Sequence, residues 1–325
     1  MKIQEFRNLI STADRALLEK AFAESYKHFN KSQKEEVDAL IGAILEGKDT
    51  KTAAKAAVNF GELGAQIEKF VDNAYAQNYL APNREVPKSA RSKWRFLVKD
   101  FLKALDKVAL ESPDYPRSVE LRTELYDVLC EGCNVYLFST DDPFRSVGWK
   151  QEELFQVVVK RTFALGYTRE NVAAMLERAT GGGLSRECLH VEKMLVLLGE
   201  LKTSDVRYLA LEEAKKLVTK KKAEFMKGKG DSTSRYYQNE HISNLCEMVL
   251  MIAVALAEPD EGVPYFFENC RESDPEVALY RALYVMDWME EDQMWIDIYK
   301  YGISRKIRPR KELVKEYQER VKKKG

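Results

Sequence analysis

The sequence is poor in the residues that support reactive sites and covalent cross-links. Its 325 residues include only five cysteines and three histidines. An odd number of cysteines scattered over a long chain indicates reduced thiols rather than a disulfide framework. The first residues, MKIQEFRNLISTADRALLEK, contain no apolar core of a secretory signal. These features together predict a cytoplasmic protein.

Long apolar runs and alternating apolar patterns are also missing. The longest apolar run, MVLMIAVALA at 248–257, is shorter than the ~20 residues that a membrane-spanning helix needs. It therefore predicts a buried helix and no membrane partner. No segment alternates apolar and polar residues with a period of two, so the sequence predicts no β-sheet.

The chain has no net charge, because 52 lysines and arginines balance 52 aspartates and glutamates. The protein as a whole is therefore not attracted to polyanions or to anionic membranes. The charge is nevertheless uneven. Residues 258–297 contain twelve acidic residues and two arginines, whereas 299–325 contain eleven basic residues and three glutamates. We expect these blocks to pair within the molecule or with the opposite end of a second copy.

What the sequence has in abundance is helical periodicity. The clearest apolar stripe lies within 89–107 and consists of Trp94, Leu97, Val98, Phe101, Leu102 and Leu105. A second stripe at 33–46 is opened by a capping box of Ser32 and Glu35 and closed by Gly47. The same pattern predicts helices near 12–29, 62–79, 117–138, 150–165, 169–179, 186–200, 204–226, 234–257, 275–288, 291–303 and 308–323. Thr168, Ser185 and Ser204 stand at the start of three of these helices and are predicted to cap their N-termini.

More than ten helices with short links cannot share one four-helix core, so the sequence predicts an all-α fold of stacked pairs. The favoured architecture is an irregular α-solenoid or a helical array of antiparallel helix pairs, since the periods of the named repeats are missing. Breaks rich in proline, glycine and polar residues fall at 80–88, 111–117, 139–148 and 227–233. They suggest an N-terminal helical region at 1–110, a main helical array at 117–304 and a basic C-terminal helix or tail at 305–325.

The pair Cys130 and Cys133 raises the question of a metal site. A structural zinc ion needs four ligands, and the remaining candidates, Cys188 and His190, would point from different faces of a helix. The pair instead continues a helical row with Tyr126 and Leu137, which predicts two small core residues. Gly132 between them would let a neighbouring helix approach. The sequence therefore predicts no cofactor, with metal at the cysteine pair as an alternative.

Two other stretches offer weaker chemistry. TGGGLSRECLH at 180–190 could bind an anion at a helix N-terminus, but its glycines more simply provide a left-handed helix cap and a flexible link. Near His241, the residues Glu240, Asn244 and Glu247 share one helical face, where an acid and a base could meet. The HExxH motif is absent and no nucleophile is placed beside this histidine.

Basic residues supply the remaining candidates for a binding surface. They cluster on the polar face of the Trp94 helix, at 215–229 and in the C-terminal block. The tentative macromolecule-binding surface comprises Arg91, Arg95, Lys221, Arg305, Arg308 and Arg310. If these residues converged on one face, binding to a nucleic-acid backbone would follow from counterion release. Solvated helix faces are the more ordinary explanation.

The functional hypothesis follows from the architecture. Stacked helices leave extended surfaces, so the sequence favours a non-enzymatic, helical-repeat-like protein that binds another macromolecule, most simply a protein. One alternative is a nucleic-acid-associated protein that uses the basic helix faces. Another is a metal-dependent or other enzyme at Cys130 and Cys133 or at Glu240 and His241. The oligomeric state stays open.

Overall fold

The computed structural model describes residues 9–29, 34, 38, 41, 42 and 44, and residues 60–324 with the exception of 84, 229 and 230. These described residues form helices, turns and bends and contain no strand, which confirms the predicted all-α fold. The chain divides into two units, Met1–Glu62 and Leu63–Gly325. Most of the helix predicted at 33–46, with its capping box, lies outside the described residues.

The first unit contains helix α1, Arg15–Lys27, close to the predicted 12–29. The helix begins where the side chain of Asp14 accepts a hydrogen bond from the backbone N–H of Ala16 at 2.8 Å, which satisfies a donor that has no partner inside the helix. None of the residues of this helix is buried, and apolar side chains such as Phe22 are exposed.

The remaining helices follow in chain order. They are α2 (Phe60–Tyr75), α3 (Lys88–Arg91), α4 (Trp94–Asp106), α5 (Tyr115–Asn134), α6 (Pro143–Val147), α7 (Gln151–Ala164), α8 (Arg169–Thr180), α9 (His190–Glu200), α10 (Ser204–Lys227), α11 (Ser232–Ala255), α12 (Pro259–Asn269), α13 (Pro275–Trp288), α14 (Asp292–Ser304) and α15 (Lys311–Lys324). No helix within the described residues is both long and apolar enough to cross a bilayer.

Side-chain caps explain where several of these helices begin. The predicted cap Thr168 opens α8, where its hydroxyl accepts a hydrogen bond from the N–H of Asn171 at 3.1 Å. Helix α10 is capped by Thr203, one residue before the predicted Ser204. Ser185 does not cap a helix as predicted, because α9 begins only at His190.

Two helices were not predicted, and one predicted helix is divided. A turn at Ser92 and Lys93 separates α3 from α4, so the helix predicted at 89–107 is interrupted. Helices α6 and α12 lie in stretches whose composition, rich in proline, glycine and acidic residues, is typical of loops. Helix α12 begins at Pro259, where the missing N–H of proline costs nothing because it would have no partner inside the helix. Gly262 then brings α12 against α11, since a Cβ there would lie 2.5 Å from the Cβ of Ala253.

Helix α11 forms the centre of the core in the second unit. Every residue from Ile242 to Ala253 is buried, so the run at 248–257 is a buried helix as far as Ala253, while its last residues are half-buried or exposed and the helix ends at Ala255. A helix that is buried on all sides requires neighbours on all sides. Helix α11 accordingly packs against α8, α9, α10, α12 and α13.

The other helices pack mainly against their near neighbours in the sequence. The packed pairs are α4 with α5 and α6, α5 with α6 and α7, α7 with α8 and α9, α8 with α9 and α10, α12 with α13, α13 with α14, and α14 with α15. The division into regions 1–110, 117–304 and 305–325 stays a prediction.

The acidic block at 258–297 and the basic block at 299–325 form ion pairs within the molecule. This is one of the two arrangements expected from the sequence. Arg320 of α15 lies 2.5 Å from Asp287 and 2.7 Å from Asp292, and its guanidinium stacks 4.5 Å from the ring of Trp295. Arg310 binds Glu276 at 2.8 Å. These contacts hold α15 against α13 and α14.

Candidate functional site

The six residues of the predicted binding surface lie in three separate places. Arg91 and Arg95 belong to α3 and α4, where Arg91 donates to the carbonyl of Val86 at 2.9 Å and Arg95 lies over the ring of Phe96. Lys221 belongs to α10 and forms an ion pair of 3.1 Å with Glu177.

The other three residues lie in the link between α14 and α15. Arg305 donates to the hydroxyl of Tyr301 at 3.1 Å, Arg308 is exposed, and Arg310 is paired with Glu276. Within the described residues, the closely packed helix pairs do not join this link to α4 or to α10. A single basic surface therefore stays a prediction, and carboxylates neutralise two of its six members.

The cysteine pair lies in the core rather than at a reactive surface. Cys130 is 7% exposed, and Cys133 beside it is half-buried, with its thiol donating to the carbonyl of Leu129 at 3.4 Å. Burial raises the pKa of Cys130 to about 11 and that of Cys133 to about 12. Both are thus neutral thiols near pH 7, whereas metal ligands and nucleophiles are thiolates. Among the described residues, no three side chains are grouped to hold a metal ion.

The three glycines that follow α8, which we call the glycine loop (Gly181, Gly182 and Gly183), are required by local geometry. Gly182 has a φ of 78°, which side chains disfavour. It is Gly182, not the cap residue Gly181 with its extended φ of −133°, that supplies the predicted left-handed conformation. A Cβ on Gly183 would overlap the carbonyl oxygen of Cys130, so the loop passes directly against α5.

A buried glutamine fixes the glycine loop in place. The side chain of Gln151 donates to the carbonyl of Gly183 at 2.8 Å and accepts from the N–H of Ser185 at 2.7 Å. These two bonds satisfy backbone groups that a buried loop would otherwise leave unpaired. The stretch is therefore a bound loop rather than the free link that the sequence suggested.

Lys193 closes the same loop from inside the core. It is fully buried, and its ammonium donates to the carbonyls of Arg178 and Gly181 at 2.8 Å each. Carbonyls at a helix C-terminus lack helical partners and favour a cation. Burial lowers the pKa of Lys193. The role of Lys193 was not predicted, although a single lysine within the apolar stretch VEKMLVLL was a signal for it.

The two histidines near the loop are neutral at pH 7. Burial lowers the pKa of His190 to about 3 and that of His241 to about 4. The Nδ1 atom of His190 lies 3.4 Å from the carbonyl oxygen of Ala179. The Nε2 atom of His241 is buried and has no hydrogen-bond partner within the described part of the chain. Neither residue is therefore poised as an imidazolium acid.

The acidic face around His241 is real, but its partner is an arginine. The guanidinium of Arg281 binds Glu247 at 2.6 Å, Glu272 at 2.9 Å and Glu240 at 3.1 Å. It also donates to the amide oxygen of Asn244 at 2.8 Å. Burial raises the pKa of Glu247 to about 7 even though Arg281 opposes the shift. This arrangement, which we call the Arg281 cluster, joins α11 to α13 and resembles a structural ion network more than an acid–base pair.

The histidines give a testable dependence of stability on pH. The folded pKa values of His190 and His241 lie below the ordinary 6.5, so the unfolded chain binds more protons below that pH. Stability is therefore lost as the pH falls from about 6.5 to 4, by at most ~1.4 kcal/mol per pH unit for each histidine. We expect His190→Gln and His241→Gln each to reduce this loss of unfolding free energy. Denaturant titrations at several pH values measure it.

Glu247 acts in the opposite sense over part of this range, because its raised pKa favours proton uptake by the folded state. The quantity to compare is therefore the slope of the unfolding free energy against pH in each variant and in the wild type. His28→Gln, at an exposed position in the first unit, is the control. Equal slopes in the wild type and both buried-histidine variants would contradict the assignment.

A two-lobed cleft opens beside the glycine loop, and we call it the glycine-loop cleft. The larger lobe, of about 560 Å³, is lined by residues of α8, α9 and α11 that include His190, Glu240 and Asn244. The smaller lobe, of about 320 Å³, is lined by residues of α5 and α8 that include Tyr126 and Glu131. Gly181, Gly182 and His241 line both lobes. The stretch 180–190 and the helix face around His241, which are distant in the sequence, thus meet at one place.

A second surface feature is a row of exposed aromatic side chains on α13, which we call the aromatic ladder. Tyr280, Tyr284 and Trp288 are 58%, 36% and 37% exposed. Their successive ring centroids are 6.4 and 6.2 Å apart. The spacing of four residues places all three on one helix face, opposite the buried Leu279, Leu283 and Met286.

The chemistry that these sites offer depends on the protonation of their cysteines and histidines. Raised thiol pKa values and neutral histidines leave the described cleft without an activated nucleophile or a charged acid. The ladder and the cleft offer aromatic faces, carboxylates and unpaired polar atoms. Compared with protein-family models, with curated proteins and with solved structures, the chain matches none of them.

Proposed function

We propose that this chain is a non-enzymatic helical protein that binds a basic, partly apolar segment of another protein along the aromatic ladder of α13. The observation that best supports this proposal is the exposure of Tyr280, Tyr284 and Trp288 in one row. Large aromatic side chains usually bury their surface, and tyrosine and tryptophan are enriched where protein partners contribute most binding energy.

The charge around the ladder supports a basic partner. A groove of about 260 Å³ adjoins Tyr280 and is lined by Glu276, Glu312, Glu316 and Arg310, together with Val277 and Leu313. Arg310 is already bound to Glu276. Glu312 has no ion-pair partner within the part of the chain that the structure describes. A lysine or arginine side chain would bring the missing charge to this groove.

The opposite end of the ladder is acidic as well. Glu290 and Glu291 are exposed just beyond Trp288, and neither has an ion-pair partner among the described residues. A cationic side chain there could also lie over the Trp288 ring. The ladder is thus an apolar strip between two negatively charged ends.

We also propose that the helices form an irregular array and that the protein is cytoplasmic. Helices that pack against the next and the next-but-one helix support an irregular array of antiparallel pairs, in which extended surfaces stay open to partners. The cysteines are free thiols, which suits the reducing conditions of the cytoplasm.

The test uses two peptides of equal length, one alternating arginine with leucine and the other alternating glutamate with leucine. We expect fluorescence anisotropy to show saturable binding of the basic peptide only. Tyr284→Ser and Trp288→Ser should each weaken it by about 2 kcal/mol, or roughly thirtyfold, as central aromatic contacts do. Tyr236→Ser, at an exposed tyrosine of α11, is the matched control.

Unchanged affinity in both ladder variants, or equal binding of the two peptides, would contradict the proposal. The nucleic-acid alternative is examined in the same assay with a labelled oligonucleotide at low salt. Tight, salt-dependent binding that Lys221→Gln and Arg308→Gln weaken would favour it over the ladder.

A further inference from the structure

Positive charges gather where the end of α10 lies against the start of α11. Arg235 of α11 and Arg271, in the link between α12 and α13, both stack on the ring of Phe225. Their guanidinium carbons lie 4.4 and 4.9 Å from the ring centroid. Lys222 of α10 is close by, because its pKa, already lowered by burial, is lowered further by the charge of Arg271. We call Arg235, Arg271 and Lys222 the basic cluster.

No carboxylate neutralises the basic cluster within the described part of the chain. Its members form no ion pair there, whereas three other lysines of α10 are paired with glutamates. Asp231 is the only acidic residue within 225–239, and its carboxylate caps α11 by accepting from the N–H of Ser234 at 2.7 Å. Glu272, next to Arg271, is bound to Arg281. Like charges without a counterion repel one another, so this place favours an anion.

The two arginines are exposed and have hydrogen-bond donors to spare. The guanidinium of Arg235 makes no hydrogen bond to a described residue, and that of Arg271 uses only its Nε, which donates to the amide oxygen of Asn239 at 3.2 Å. The backbone N–H of Arg271 donates to the hydroxyl of the buried Ser243 at 3.1 Å, which fixes this part of the link. Planar guanidinium forks match the paired oxygens of a phosphate group.

Exposed aromatic rings adjoin the basic cluster. Tyr236 follows Arg235 in α11 and is 61% exposed, and Tyr237 is 65% exposed. Their ring centroids are 5.6 Å apart. Cations beside exposed aromatic rings are typical of surfaces that bind single-stranded nucleic acid, because phosphates meet the cations while unpaired bases stack on the rings. A duplex keeps its bases stacked within itself and offers none to Tyr236.

We propose that this end of the α10–α11 pair binds single-stranded nucleic acid, with a backbone phosphate held by Arg235 and Arg271 and a base stacked on the ring of Tyr236. Lys222 adds positive charge beside the phosphate. None of the six basic residues expected from the sequence to form a binding surface belongs to this site. It is also separate from the aromatic ladder and does not rest on the protein-binding function proposed above.

The experiment measures fluorescence anisotropy of three labelled probes of equal length with the full chain at low salt. The probes are an oligouridylate, its duplex with oligoadenylate, and a strand that has the same phosphates but no bases. We expect saturable binding of the oligouridylate and weaker binding of the other two probes. The logarithm of its affinity should fall with the logarithm of salt concentration, with a slope of about −0.7 for each phosphate contact.

Variants assign this binding to the site. Arg235→Gln and Arg271→Gln should each weaken the oligouridylate about tenfold, as expected for a lost hydrogen bond to a charged group, and reduce the salt slope by about 0.7. Tyr236→Ser should weaken the oligouridylate at least about fivefold and leave the strand without bases unchanged. Arg308→Gln and Tyr280→Ser, at an exposed arginine and an exposed tyrosine elsewhere, are the matched controls.

Both arginines also cover Phe225, so Arg235→Lys separates binding from folding. It keeps the charge and most of the side chain but loses the guanidinium fork, and it should keep the wild-type melting temperature and salt slope while it weakens the oligouridylate several-fold. No measurable affinity at low salt, equal affinity for the duplex or for the strand without bases, or unchanged affinity in both Gln variants would overturn the proposal. Binding of phosphatidylserine vesicles or of a phosphotyrosine peptide without binding of the oligouridylate would overturn it too.

Discussion

Replacing Arg281 with methionine is expected to lower the free energy of unfolding by about 3–5 kcal/mol, the cost of leaving a buried charge without its partner. Arg281 binds three carboxylates and the amide of Asn244. Asn244 in turn donates to the carbonyl of Thr180 at 2.9 Å, so the Arg281 cluster reaches from α13 through α11 to the end of α8. Urea titration of the wild type and Arg281→Met measures the loss.

A second substitution distinguishes lost charge pairing from lost packing. Glu247 is the most buried carboxylate of the cluster, so Glu247→Gln in the Arg281→Met background should recover part of the lost stability. Arg305→Met, at an exposed arginine, is the control and should change stability by less than ~0.5 kcal/mol. A loss below 1 kcal/mol in Arg281→Met, or no recovery in the double variant, would show that the cluster is not a stabilising network.

The second large effect is expected at Gly183. A Cβ at this position overlaps the carbonyl oxygen of Cys130 and lies 2.9 Å from the side-chain amide of Asn134. Because one of these neighbours is backbone, relief requires movement of the loop or of α5. We expect Gly183→Ala to lower the free energy of unfolding by about 1–3 kcal/mol or more, as overpacking does, with the loss measured by thermal and urea unfolding.

Gly199→Ala provides a matched control, because a Cβ at Gly199 meets no atom within 4 Å. This glycine lies in α9, where alanine is the better helix former, so the control should gain roughly 0.5–1 kcal/mol. Opposite signs for the two variants are the expected result. A stabilised Gly183→Ala would mean that the glycine loop does not pass against α5 as described.

Periodicity was sufficient to predict most of the helices. The stripe of Trp94, Val98 and Leu105 is buried in α4 as expected, while Leu97 at its margin is 41% exposed. Thr168 was recognisable as a cap because its chemistry is local. Helix α12 was not recognisable, because it contains Pro259 and Pro264 and because its Gly262 meets a requirement set by α11 rather than by its own segment.

The candidate sites were predictable only in part, and for a related reason. The shared face of Glu240, Asn244 and Glu247 follows from helical spacing, and the structure confirms it. Their counterion Arg281 comes from another helix, and no local pattern connects the two. The cleft depends on the meeting of α5, α8 and α11, which sequence spacing does not encode. The aromatic ladder was recognisable in principle from the spacing of its rings, but its exposure was not.

The burial of α11 on all sides sets a limit on how the chain can be shortened. Its neighbours come from segments both before and after it, so a cut on either side of α11 would uncover part of its buried face. Removing α12 and α13 would expose part of the buried surface from Ile242 to Ala253, most of whose side chains are apolar, which invites aggregation. We therefore expect α8 to α13 to unfold together, and not as modules that can be added or deleted one at a time.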